Sequence, residues 1–355
     1  MQLGRQGFLK QRIFRIRSNH YLTTNRWLGR ARIFPLVLAL TIPLGACQIT
    51  PQASQFAETV VPKSAAQASD STASSASSSA SIEANNQGIL DDLKSATFVY
   101  LGEVHNRAGD RAGQLAILEA LYQDNPKLAI SMEMFQRPFQ PFLDAYLAGE
   151  IDEATLVEKT EYEQRWGFPW ESYAPILQFA KANQIPVIAA NTPTEILRKV
   201  AREGLESLSG DDFRYIPPRE DIRLDNEAYR DQLRGIFAHH MHGGHGNSDG
   251  FERFFSAQVT WDETMAEAIA NFHRENPDHR IVSISGLGHV SYGYGIPDRV
   301  KRRIPDPQYQ HRSVLFAPHN RPASADQGDA TDHTWRYEAS PSESKRNPKQ
   351  ALPSL

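Results

Sequence analysis

Ala96-Thr97-Phe98-Val99-Tyr100-Leu101-Gly102-Glu103-Val104-His105 is the stretch that decides how this chain is read. A β-prone apolar run is stopped by a glycine and followed at once by two ionisable side chains. The pattern returns at Arg280-Ile281-Val282-Ser283-Ile284-Ser285, which runs into Gly286-Leu287-Gly288-His289. Lys127-Leu128-Ala129-Ile130-Ser131-Met132 leads into Glu133, Ile185-Pro186-Val187-Ile188-Ala189-Ala190 into Asn191, and Val314-Leu315-Phe316 is a fifth apolar run. Helical spacing separates these runs at 110–123, 172–184, 195–203 and 251–274, with Thr194 placed to cap the third of those helices. Strands alternating with helices predict an α/β fold, a mostly parallel central sheet flanked by helices with added helical segments.

The chain has 355 residues, 40% hydrophobic and 23% charged, enough for one large domain with a buried core. Its single cysteine, Cys47, excludes a disulfide framework and a polythiolate zinc site. The net charge of −4 conceals an asymmetry: residues 1–46 carry eight Lys or Arg and no acid, which leaves −12 on the remaining 309. A body that acidic repels phosphate backbones, so nucleic acid is not an expected partner. Arg30 and Arg32 precede an apolar run from Ile33 to Leu44 that ends in Leu44-Gly45-Ala46-Cys47. A basic stretch, an apolar core of about a dozen residues and a small-residue site make residues 1–46 a secretory signal. Residues 47–87, dominated by Ser, Ala and Gln, are expected to be a disordered tether, and 321–355 a disordered tail. The folded body is then 88–320.

Ligands of parallel α/β sheets bind beyond the carboxyl ends of the strands. Glu103, His105, Glu133 and His289 are all aimed at that edge and could meet in one pocket. Two imidazoles and two carboxylates suit either a divalent metal such as zinc or general acid–base catalysis. Phe237-Ala238-His239-His240-Met241-His242-Gly243-Gly244-His245 offers a second set of ligand atoms. If 226–242 is helical, His239 and His242 share one face; His240 and His245 complete the cluster. Tyr292 and Tyr294 follow His289 in a glycine-rich turn, and a tyrosinate there could bind ferric iron. The segment Tyr162 to Tyr173 holds five aromatic rings, Trp166 among them, suited either to a porphyrin face or to the core. In the long helix, Trp261 and Met265 read as core, with Asp262 or Glu263 facing the pocket.

The two Gly-x-x-His motifs, Glu133-Met134-Phe135, the Trp166–Tyr173 segment and Gln258 to Met265 resemble the haem-binding ChaN family of the Tiki, TraB and erythromycin esterase-like superfamily. The resemblance covers about 95–320 and implies an α/β core with added helices and haem bound at or near a dimer interface. The superfamily motif maps onto Glu103, His105, Glu133 and His289. Leu44-Gly45-Ala46-Cys47 resembles a bacterial lipobox, which implies cleavage before Cys47 and its acylation. Gln48 after it favours the outer membrane. The resemblance therefore implies a membrane-anchored lipoprotein of the bacterial cell envelope that binds haem for iron acquisition, with a homodimer and an outer-membrane haem receptor as expected partners. A metal-dependent hydrolase using the strand-end quartet is the alternative.

Overall fold

A computed structural model of the chain describes residues 69–240, 248–306, 309–320 and 330–339. Six strands, β1 Phe98–Glu103, β2 Leu128–Gln136, β3 Val187–Asn191, β4 Arg280–Gly286, β5 His311–Pro318 and β6 His333–Tyr337, form one sheet in the order β3-β2-β4-β1-β5-β6. Every neighbouring pair is parallel. The helices are α1 Ser69–Leu93, α2 Ala108–Asp124, α3 Gln140–Leu147, α4 Glu153–Lys159, α5 Tyr162–Arg165, α6 Ala174–Ala182, α7 Thr194–Glu203, α8 Glu227–His240, α9 Ser248–Glu275 and α10 Ile296–Arg303.

The central strands are apolar without alternation because both faces of the sheet are covered. Val99, Leu101, Ile130, Met132, Val282 and Ile284 point to the side packed by α1 to α6. Phe98, Tyr100, Ala129 and Ile281 point to the other side, against Met265, Ala266, Ile269 and Ala270 of α9 and Val300 of α10. A third apolar cluster, with Val200, Tyr229, Leu233, Phe251, Phe255 and Val259, joins α7, α8 and α9. It is the added helical part of the fold.

All five expected strands are present, and the sixth corrects the sequence reading. His333–Tyr337 lies within 321–355, the segment expected to be a disordered tail, yet it pairs with β5 from Val314↔His333 to Pro318↔Tyr337. The tether boundary at 87 is corrected as well, because α1 begins at Ser69. Ile82, Ile89 and Leu93 of α1 are buried. The two segments order each other: the Asn86 side chain donates to the Arg336 carbonyl at 2.8 Å and accepts the Arg336 N–H at 3.1 Å. Thr194 is the first residue of α7 rather than its cap, and its hydroxyl accepts from Gln136 Nε2 at 2.6 Å. At the other sheet edge, Gln140 donates to the Val187 carbonyl at 2.8 Å and accepts the Ala189 N–H at 2.7 Å. A carboxamide thus occupies backbone groups on both edge strands, which blunts them as templates for another chain.

Candidate functional site

The carboxyl ends of β1, β2 and β4 bring Glu103, His105, Glu133 and His289 together, and Gly286 is their meeting point. Its N–H donates to Glu133 Oε2 at 2.6 Å. A Cβ at position 286 would stand 3.0 Å from His105 Nε2 and 3.6 Å from Glu133 Oε2, so this close approach needs glycine.

On the β1 side, His105 Nδ1 lies 2.7 Å from Glu103 Oε1. The same oxygen accepts from the Tyr173 hydroxyl, while Glu103 Oε2 accepts from Gln114 Nε2 at 2.7 Å. Burial alone would lower the His105 pKa. The hydrogen bond to Glu103 and the charge of Glu133 more than offset it, and the imidazole ends above its ordinary value. Burial and the Glu103 carboxylate push the Tyr173 phenol far up, so it stays a donor. Trp166 and Phe168 pack around the His105 ring with centroids 4.8 and 5.0 Å away.

On the β4 side, His289 Nδ1 lies 2.6 Å from Asp262 Oδ1 and its Nε2 lies 3.5 Å from Glu133 Oε1. Asp262 Oδ2 accepts from the Tyr229 hydroxyl at 2.7 Å, and Trp261 meets the imidazole edge-on. Burial opposes the charged form of His289, but Glu133 and Asp262 on its two sides push its pKa up to about 10. Glu133 is shifted the opposite way: burial raises it, and the charges of His289 and His105 with the Gly286 N–H overcome that and hold it below the ordinary glutamate range. His289 is therefore an imidazolium and Glu133 a carboxylate at neutral pH. Glu133 Oε1, Ser285 Oγ, Trp166 Nε1 and Trp261 Nε1 are buried without a protein hydrogen-bond partner, so the site keeps bonding capacity for something that enters it.

Within the quartet Glu103 and His105 are hydrogen-bonded, whereas Glu133 and His289 face each other as an ion pair at 3.5 Å. Among the described residues, no group of three or more His, Cys, Asp or Glu side chains is arranged to hold a metal ion. Of the two acids considered in the long helix, Asp262 faces the site, whereas Glu263 is buried against Arg299, Arg302 and Arg303. Tyr292 and Tyr294 stack with centroids 5.9 Å apart. Tyr294 leans on Tyr229, and Tyr292, with φ of 59°, is 38% exposed. Of the aromatic segment, Tyr162 and Tyr173 are core, and Trp166 borders His105. His239 and His240 close α8, but their side chains lie outside the described residues, as do His242, His245 and Cys47.

Sequence reasoning named Tyr173 only as a ring of the aromatic segment and missed Gln114 and Tyr229; the spacing of all three from their partners carries no signal. It also missed Asp110 and Arg111. Asp110 Oδ2 accepts the Val104 N–H at 2.8 Å, and Arg111 Nη1 donates to the His105 carbonyl at 2.7 Å. Burial lifts the Asp110 pKa to about 7 against the donors that oppose it. Polar residues in the first turn after Gly-x-x-His were the signal available.

The family described as haem-binding uptake, Tiki superfamily, ChaN matches residues 89–300. The chain belongs to this family. A solved structure titled cofacial heme binding to ChaN of Campylobacter jejuni superposes with a TM-score of 0.55 at 17% identity, covering 70% of this chain and 90% of that one. It shows that the two share a fold. An erythromycin esterase in its open conformation superposes with a TM-score of 0.39 at 14% identity, covering 65% of this chain and 72% of that one. The chloroplastic protein RETICULATA-RELATED 5 of Arabidopsis thaliana is 26% identical over 239 residues, 61% of this chain. The chain spans about a third of that plant protein, 31% of its length.

Proposed function

We propose that this protein binds haem and serves haem-iron acquisition as a lipoprotein of the bacterial cell envelope, anchored at the outer membrane through acylated Cys47. Membership of a haem-binding uptake family, matched over 89–300, carries the haem reading. The anchor rests on the signal-like segment ending at Leu44-Gly45-Ala46-Cys47.

The fit of haem to the residues present differs across the site. His289 is charged and faces a carboxylate on each ring nitrogen, and the Nε2 of His105 is closed over Gly286 beside Trp166 and Phe168, so neither imidazole is open to an axial bond to iron. Tyr292 does fit, since it is 38% exposed just beyond the same end of the sheet and its ring is stacked on Tyr294. Bound there, haem iron would take a tyrosinate as its ligand. Haemin titration of the chain from Gln48 onward should give a saturable Soret band that Tyr292→Phe displaces. The absence of saturation would sink the haem reading, and an unchanged band in Tyr292→Phe would move the ligand to the 239–245 histidines.

A second reading, hydrolysis at the strand-end site, is favoured by the pairing of His105 with Glu103 beside Glu133, whose Oε1 faces the His289 imidazolium and accepts no protein hydrogen bond. An imidazole backed by a carboxylate can take a proton from water, and a fixed imidazolium can steady developing negative charge. Peptide and ester hydrolysis lost in His105→Ala, with haem binding intact, would support it.

A further inference from the structure

The C-terminal strand does more than close the sheet. Tyr337, its last residue, lays its ring directly on the first turn of α2: a Cβ at Gly109 would stand 2.0 Å from Tyr337 Cε2. Only glycine at 109 admits the ring. The Tyr337 hydroxyl then donates to Asp110 Oδ1 at 2.8 Å, and Asp110 is wholly buried. The other oxygen of Asp110 holds the Val104 N–H at 2.8 Å, one residue before His105. Arg111 fastens the His105 carbonyl at 2.7 Å, with its guanidinium 5.5 Å from the centroid of the Tyr173 ring. Tyr173 in turn bonds Glu103, the carboxylate on His105 Nδ1. The first turn of α2 therefore grips the His105 turn from its backbone and from its side-chain partner.

An edge strand needs no such bond. Trp335 already supplies the buried anchor of β6, and the His319 N–H to Tyr337 carbonyl bond at 2.8 Å secures its end. A phenylalanine would fill the same space over Gly109. What the hydroxyl adds is a hydrogen bond to a buried carboxyl group that already holds the site's turn, and leaving a buried acceptor without its donor costs the desolvation of that group.

We propose that Tyr337 is a positioning residue of the strand-end site: acting through Asp110, it fixes the turn that presents His105, so β6 clasps the site. The inference rests on reading that site as the working centre, but its test is independent of haem binding and of hydrolysis.

The test is NMR on the full chain with ¹⁵N-labelled histidine and backbone amides, comparing wild type with Tyr337→Phe, Asp110→Asn and Asp110→Ala. Tyr337→Phe should keep the far-UV spectrum, move the His105 Nδ1 resonance away from its Glu103-bonded position, and speed exchange of the Val104 amide roughly tenfold. His289 resonances should stay in place. Asp110→Ala should exceed that effect, and Asp110→Asn, which retains an acceptor for Val104, should recover much of it. Should Asp110→Ala fail to fold, Tyr337→Phe and Asp110→Asn still decide. An unmoved His105 ring and an unaltered Val104 exchange rate in Tyr337→Phe would overturn the clasp. A moved ring in a chain whose haem binding and hydrolysis are indifferent to His105 would instead overturn the reading of the site.

Discussion

The two Gly-x-x-His turns share a plan and differ in setting. Each places a histidine after a parallel strand and gives its Nδ1 to a carboxylate. His289 is enclosed, with Asp262 on one nitrogen and Glu133 facing the other. His105 has one carboxylate bond, two partly buried aromatic rings beside it, and its Nε2 close over Gly286. One motif thus yields a charge enclosed between two carboxylates and an imidazole bonded to one carboxylate among aromatic rings. The number of facing carboxylates, not the motif, sets the role.

The largest test removes each imidazole in turn. His289→Ala leaves Glu133 and Asp262 buried without their counter-charge and should cost about 3–5 kcal/mol in urea unfolding. His105→Ala should cost about 1.5 kcal/mol, one charge-assisted bond near the rim. Equal losses would break the comparison.

The pH dependence sharpens it. The His289 pKa rises from an ordinary 6.5 to about 10 on folding, so its contribution is fully present below pH 6.5 and is lost as pH climbs through 10. Between pH 7 and pH 9 wild-type stability should fall by up to about 1.4 kcal/mol per unit, and Asp262→Asn should flatten that slope. An unsloped wild-type profile would show that His289 is not the fixed charge.

The smallest test lies within one motif. Gly286→Ala should cost about 1–3 kcal/mol and displace the His105 ring, because the new methyl meets Nε2. Nothing stands within 4 Å of a Cβ at Gly288, so Gly288→Ala should stay within about 0.5 kcal/mol. Crystal structures or His105 ring shifts of the two variants would settle which glycine the site requires.

Legibility in the sequence followed burial. β1 to β5 were readable because strands covered on both faces are continuous apolar runs, and the quartet was readable because it sits where those runs stop. β6 was not, since only Trp335 of its five residues is buried and the rest read as polar. The Ser/Ala-rich start of α1 failed the same way. Neither has the apolar surface to order alone, and each supplies the other's missing partner through Asn86 and Arg336. Asp262 was half legible: its place beside Glu263 was visible, but only the helix's rotation decides which acid meets His289. Tyr173 was legible as an aromatic ring of its segment, but its bond to Glu103, 70 residues away, had no signal.

The carboxamides of Asn86 and Gln140 also bear on crowding. Wherever copies of a protein crowd together, an open strand at a sheet edge invites a neighbour to zip on. Here both outermost rows already have Asn86 and Gln140 on them, so strand addition meets occupied groups. A neighbour's strand would first have to displace two carboxamide bonds at either edge, each already made inside its own chain.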